Sequence, residues 1–319
     1  MELNDDIVKR IKLLDEKFKA SGQDLVGYLD GLLHASYLTY WDYIHLDTLL
    51  SLQTPKTAIL DEPIFIMYHQ ITELYFKLAL HEMEQVRNND SCTGNFLLKK
   101  VTRINRYFEM LVRSFDVMID GMEHKQFLEF RMSLLPASGF QSMQYRTIEL
   151  GCTEVVNLVA MDKRAHYRAN NTVELYPEMY ENIYWKNGAT DAVTGAKSLT
   201  LEQFEQHYDG LFLRTIYANQ HKTINSKYNA LTSTEQQEPQ LIAALRELDT
   251  QVNINWPLAH YKSAVRYLNK GTVDAPATGG TNWQKYLPPR FQQRIFFPIL
   301  WSAEEIAQWG KSWVDTVAK

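Results

Sequence analysis

His69 and His260 are the residues of this chain whose type and setting could do chemistry. The first lies in Phe65-Ile66-Met67-Tyr68-His69-Gln70-Ile71-Thr72-Glu73-Leu74-Tyr75-Phe76, the second in Trp256-Pro257-Leu258-Ala259-His260-Tyr261-Lys262. Imidazole titrates near neutral pH and is the commonest metal ligand in proteins. In an apolar helical stretch it is a ligand, an acid–base group or a hydrogen-bonded core residue. Spacing narrows the metal chemistry. None of the nine histidines has glutamate three residues before it, which excludes the paired Glu-x-x-His of a di-iron bundle. Neither Cys-x-x-Cys-His nor His-Glu-x-x-His occurs, so covalent haem attachment and that zinc site are also excluded. A non-covalent haem held by one histidine in an apolar pocket stays open, beside ordinary core packing.

Helices must position these side chains. Ile7, Ile11, Leu14 and Phe18 recur at helical spacing. The segment 63–86 is apolar on most faces, which predicts a helix buried at the centre of a bundle. Pro63 suits its first turn, where a missing N–H costs nothing. Further helices are expected over 96–118, 140–156, 201–228 and 240–268. Pro257 falls inside the last of these and requires a first turn or a kink there. Few alternating β-branched runs occur. The expected fold class is all-α, a helical bundle in a single domain over 1–319, with a small inserted helical or loop segment at about 167–235. The loop 187–196 would end a small hairpin within that insertion.

Composition sets the outer bounds. The chain has 319 residues, 45% hydrophobic and 22% charged, with a formal net charge of −5. That is enough for a large core, and the mild acidity offers no footprint for nucleic acid or an anionic membrane. No apolar run approaches the about 18 residues of a spanning helix, and the first residues lack a secretory pattern. Cys92 and Cys152 are the only cysteines, so a disulfide framework is not expected and a cytoplasmic location is. Aromatic residues make up 12%, which suits a planar cofactor or simply a large core.

Several motifs occur together in one order. They are Tyr40-Trp41-Asp42-Tyr43-Ile44-His45-Leu46-Asp47, the Phe65–His69–Gln70 run, Phe127-Leu128-Glu129-Phe130-Arg131 and Pro136-Ala137-Ser138-Gly139-Phe140-Gln141-Ser142. The Trp256/His260 pair and Thr278-Gly279-Gly280 complete the series. From about Tyr37 to about Tyr286, and most weakly between Tyr167 and Gln251, the chain resembles the tryptophan 2,3-dioxygenase family. These haem enzymes use O2 to open the indole ring of L-tryptophan to N-formylkynurenine.

The resemblance implies one haem b per chain, with His260 as the proximal iron ligand and Trp256 beside it. Ser138 and Gly139 would line the cofactor edge. His69 takes the distal, catalytic position, where it could accept the indole N–H, with Phe65 and Phe76 on the same helix face. Arg131 would bind the substrate carboxylate, because a guanidinium fork bonds it bidentately. Phe127 lies one turn earlier, and Thr278 would contact the substrate ammonium and a haem propionate. Tyr40, Tyr43 and Ile44 match residues donated to a neighbouring subunit's pocket. That implies exchange of the N-terminal 1–50 and a homotetramer built as a dimer of dimers. The stretch 270–277 is longer than usual and Ala277 replaces a common glycine; since this loop closes over substrate in the family, it bears on substrate choice. The alternatives are a monooxygenase of the same superfamily acting on a modified tryptophan or another aromatic amino acid, and a non-catalytic haem or indole sensor.

Overall fold

The computed structural model describes residues 4–35, 39–134, 139–190, 194–268 and 288–311. The chain divides into two compact units, Met1–Thr54 and Pro55–Lys319. Among the described residues the regular structure is helical, and the only bridges are the isolated pairs Val159–Ile183 and Thr190–Lys197. The all-α expectation holds. The Thr190–Lys197 bridge closes the loop read from the sequence at 187–196.

The first unit is an antiparallel-type pair of capped helices, α1 (Asp5–Ala20) and α2 (Leu25–His34), followed by two short turns of helix, Tyr40–Tyr43 and Leu46–Leu50. Asn4 and Asp24 cap α1 and α2 by accepting backbone N–H bonds, which satisfies donors the first turn leaves free. Phe18 packs on Tyr28 with ring centroids 4.7 Å apart. Leu25 is buried, whereas Leu33, Tyr40, Trp41, Tyr43 and Leu50 are exposed. This unit has more apolar surface than it can cover by itself.

The second unit is built around α3 (Glu62–Arg87) and α4 (Gly94–Ser114). Pro63 sits in the first turn of α3, as expected. Tyr68, Thr72, Phe76, Ala79, Met83 and Val86 form its buried stripe, at the three-to-four spacing of one helix face. The opposite stripe, Met67, Ile71, Leu74 and Leu78, is exposed. The helix is therefore apolar nearly all round, but among the described residues of this unit only one side of it is covered, which corrects the expectation of a fully enclosed central helix. Lys100 of α4 reaches Glu82 of α3 at 2.8 Å in a buried pair.

Next come α5 (His124–Phe130), α6 (Met143–Cys152) and α7 (Leu199–Ala218). The expected 201–228 helix is two helices, because α7 stops at Ala218 and a separate turn, Ile224–Asn229, starts at a Thr223 cap. The expected 240–268 helix is one rod with a flaw. α8 (Pro239–Thr250) passes through a π-helical turn, Gln251–Asn255, into α9 (Trp256–Leu268). Pro257 lies just past the wide turn, where its missing N–H and its ring are accommodated.

A buried carboxylate ties this rod to a later segment. Asp249 accepts from the Phe296 and Phe297 backbone N–H groups at 2.7 and 3.1 Å, from Trp301 Nε1 at 3.0 Å and from Asn253 Nδ2 at 2.7 Å. Thr153 Oγ1 donates to the Phe296 carbonyl at 2.8 Å. Ile295 and Trp309 pack with Ile254 and Leu258 against the junction of the π turn and α9.

Candidate active site

His69 sits on α3 with Nδ1 2.7 Å from the Phe65 carbonyl, one turn earlier. A carbonyl only accepts, so the proton belongs on Nδ1 and Nε2 is the free acceptor of a neutral ring. Phe65 stacks against the imidazole at 4.1 Å between centroids. His69 keeps an exposed face, yet burial in the surrounding protein lowers its pKa more than the Phe65 carbonyl and Glu73 raise it. Glu73, one turn on, accepts from Gln144 Nε2 at 2.8 Å.

His260 lies one turn into α9 and is half-buried. Burial, with a smaller contribution from the charge on His69, pushes its pKa down to about 4. The two histidines, far apart in sequence, are thus near enough for a charge on His69 to be felt at His260. Aromatic rings connect them. Tyr68 lies 6.0 Å from His69 and 5.6 Å from Phe115. Phe115 in turn is 5.9 Å from His260 and 5.0 Å from Trp256. Trp256 packs against both the large core and the smaller cluster around Tyr68 and Phe115.

Phe65 is the hub of the other wall, 6.3 Å from Phe127 and 5.7 Å from Phe130. Phe127 also packs on Tyr267 of α9 at 4.4 Å, so α3, α5 and α9 converge here. Arg131 follows Phe130 directly, as the first residue of a 3-10 turn, and is 7% exposed. Burial lowers the pKa of its guanidinium, the mark of a cation held away from bulk water.

Of the residues singled out in the sequence, Phe65, His69, Phe127, Trp256 and His260 come together through these contacts, and Arg131 directly follows Phe130 of the same cluster. Gly139 opens the 3-10 turn Gly139–Gln141. Tyr40 and Tyr43 are exposed and Ile44 half-buried, all on the first unit. Ser138, Thr278 and the 270–277 loop lie outside the described residues. Phe76 departs from expectation. It shares a helix stripe with Phe65 and His69, but it is 2% exposed and packs on Phe108, Tyr145 and Trp256 in the core. Two turns along α3 the neighbours have changed, so the same stripe faces core and not ligand. Tyr68, Phe115 and Tyr267 were missed from sequence, since each reads there as one more apolar helix position.

The residues fit a haem. A desolvated imidazole at His260 is the form that binds iron, and the aromatic side chains of Phe65, Phe115 and Trp256 supply apolar walls for a planar group.

Acid titration of the haem-free chain should expose the desolvated pair. Between the ordinary histidine value of 6.5 and about 4, the unfolded chain binds a proton at residue 260 that the folded chain refuses. Its contribution to stability is therefore present above 6.5 and is lost as pH falls through that window. Asp249 acts in the opposite sense, because burial raises it from 3.8 to about 6 and the folded state binds the extra proton. Comparison with His260→Gln isolates the histidine. Between about pH 6.5 and 4.5 the urea midpoint of the wild type should fall more steeply than that of the variant. Parallel slopes would mean that His260 is as well solvated folded as unfolded.

Sequence comparison points the same way. A sequence model of the family described as tryptophan 2,3-dioxygenase matches residues 31–174, which include Phe65, His69, Phe127 and Arg131. Tryptophan 2,3-dioxygenase of Ruegeria sp. (strain TM1040) is 43% identical over 117 residues, covering 36% of this chain and 41% of that protein. Its namesake from Ruegeria pomeroyi is 36% identical over 152 residues, covering 46% of this chain and 54% of that protein. In these two alignments the chain spans about half the length of the curated relatives it matches. The Bacillus thuringiensis subsp. konkukian protein of that name is 27% identical over 285 residues, covering 83% of this chain and 91% of its own length. The resemblance read from the motifs thus extends along most of the sequence, and over that span the chain is similar to proteins named tryptophan 2,3-dioxygenase.

Proposed function

We propose that this chain is a haem-dependent dioxygenase that opens the indole C2–C3 bond of L-tryptophan with O2, giving N-formylkynurenine, the first step of the kynurenine pathway. The observation that carries the reading is the run of aromatic contacts that links His69 to His260 through Tyr68 and Phe115, with Trp256 alongside. Similarity to tryptophan 2,3-dioxygenases supplies the substrate class.

In this reading His260 holds the iron of one haem b per chain, with Trp256 and Phe115 fixing its helix and Ser138 and Gly139 at the cofactor edge. Bound haem iron would supply the activation of O2. Everything else falls to the protein. Arg131, desolvated and rigidly based on a 3-10 turn, binds the substrate carboxylate. Thr278 takes the ammonium. Phe65 and Phe127 form an apolar wall for the indole ring. His69 accepts the indole N–H at Nε2, the nitrogen left unprotonated by the bond from Nδ1 to the Phe65 carbonyl. Water exclusion by these aromatic groups strengthens both polar contacts.

The exposed Met67, Ile71, Leu74 and Leu78 on α3, and Tyr40, Trp41 and Tyr43 on the first unit, fit a homotetramer in which 1–50 is exchanged and Tyr40, Tyr43 and Ile44 complete a neighbour's pocket. Among the described residues no helix is long and apolar enough to cross a membrane, and a cytoplasmic location belongs to the same proposal.

Product analysis with L-tryptophan, isotopically labelled O2 and a reductant tests the reading. Both labelled atoms should appear in N-formylkynurenine. One labelled atom would indicate a monooxygenase, and binding without turnover a sensor. Within this function His69→Ala should slow the enzyme without abolishing it. A positioning hydrogen bond is worth about 0.5–1.5 kcal/mol net, so kcat/KM should fall by roughly tenfold, whereas loss of an obligatory base costs about 10²–10⁴. With 1-methyltryptophan, which has no N–H to give, the same substitution should cost much less. A variant that loads haem and binds tryptophan yet is inert would assign His69 a chemical role instead.

A further inference from the structure

The rod that carries His260 has a backbone defect at a defined place. In the π turn, the Trp256 N–H donates to the Gln251 carbonyl, five residues back. Continued by one residue, that register would pair position 257 with the Val252 carbonyl. Residue 257 is proline and has no hydrogen to give. Val252 is fully buried, so water cannot serve its carbonyl. The Tyr145 hydroxyl of α6 lies 2.9 Å from that oxygen.

The direction of this bond is set from the other side. Arg294 Nη1 donates to the same Tyr145 oxygen at 3.2 Å. A guanidinium never accepts, so the hydroxyl hydrogen is left for Val252. Arg294 is itself held by Glu149 and by Tyr184, the latter at 2.7 Å. The ring of Tyr145 also acts, packing on Phe76 at 5.5 Å, which meets Trp256 edge-on at 5.7 Å. One side chain thus grips both a carbonyl of the π turn and, through Phe76, the first residue of α9. His260 follows Trp256 by a single turn.

We propose that Tyr145 is a positioning residue for His260, its hydroxyl replacing the backbone donor that Pro257 cannot supply. The inference rests on the reading of His260 as the iron ligand. By fixing the π turn between α8 and α9, Tyr145 fixes the direction in which the imidazole leaves α9.

Tyr145→Phe in the full chain removes the hydroxyl alone. Without haem, amide hydrogen exchange at residues 258–262 should speed up by about tenfold, the effect of leaving one buried carbonyl unpaired, while exchange in α3 stays unchanged. With ferrous haem, the iron–histidine stretching frequency should shift from the wild-type value. Adding Pro257→Ala, which restores an N–H, should return both readouts toward wild type. Unchanged exchange and frequency in Tyr145→Phe would overturn the proposal, as would a double variant that behaves like the single one. If Tyr145→Phe alone does not fold, recovery of a folded chain by Pro257→Ala supports the proposal and failure to recover it overturns it. The exchange measurement needs no haem, so it can fail while the ligand assignment stands, and loss of that assignment is read separately from His260→Ala.

Discussion

Full-length chain carrying His260→Ala is expected to lose stable haem binding or, at the least, the spectrum of a histidine-ligated haem. Alanine leaves no nitrogen on that turn of α9, and the remaining walls near it, Phe115 and Trp256, offer no ligand of comparable strength. His69 is the one other imidazole placed to sense this position, and its Nδ1 is already committed to the Phe65 carbonyl. Titration of the purified variant with haem, followed by absorption spectroscopy, measures the loss. Stoichiometric haem with unchanged ligation would remove His260 from the iron.

Arg131→Leu should raise KM for L-tryptophan strongly. Arg131 is a buried residue at the end of α5. Truncating one partner of a buried charge pair costs about 2–5 kcal/mol, which corresponds to about thirtyfold to several thousandfold in affinity. Tryptamine, which lacks the carboxylate, should be a poor substrate for the wild type and should lose little further from the substitution. A variant with normal KM for tryptophan would place the anchor on another residue.

Much of the scaffold was legible from residue periodicity because helix formation is local. The starts of α3 at Pro63 and the rod from 239 to 268 follow from a proline and an apolar repeat. The break after Ala218 was missed, since the apolar pattern runs on across it and only the Thr223 cap marks a new start. The enclosed status given to α3 was also wrong in part: periodicity reports how apolar a face is, and not whether this chain or another molecule covers it. The site was legible residue by residue through family motifs, but its wiring was not. Phe115 comes between Tyr68 and His260 only when α3, α4 and α9 pack, and nothing local distinguishes it from Phe108, which is core. Phe76 shows the reverse error, correct phase on the helix and the wrong surroundings.

The Asp249 clasp has a consequence for the order of events at the ribosome. Synthesis runs from the N-terminus, and domains begin to fold as they emerge. α3, α4, α6 and both histidines leave the exit tunnel before Phe296, Phe297 and Trp301, the donors that offset part of the cost of burying the Asp249 carboxylate. Ile295 and Trp309, which cover the junction below His260, come later than the histidine too. A nascent chain that has already made every side chain of the histidine pair therefore still has an uncompensated acid beneath it. Haem capture should be a late, post-release event, and chains stalled just short of residue 294 should be targets for chaperones and proteases.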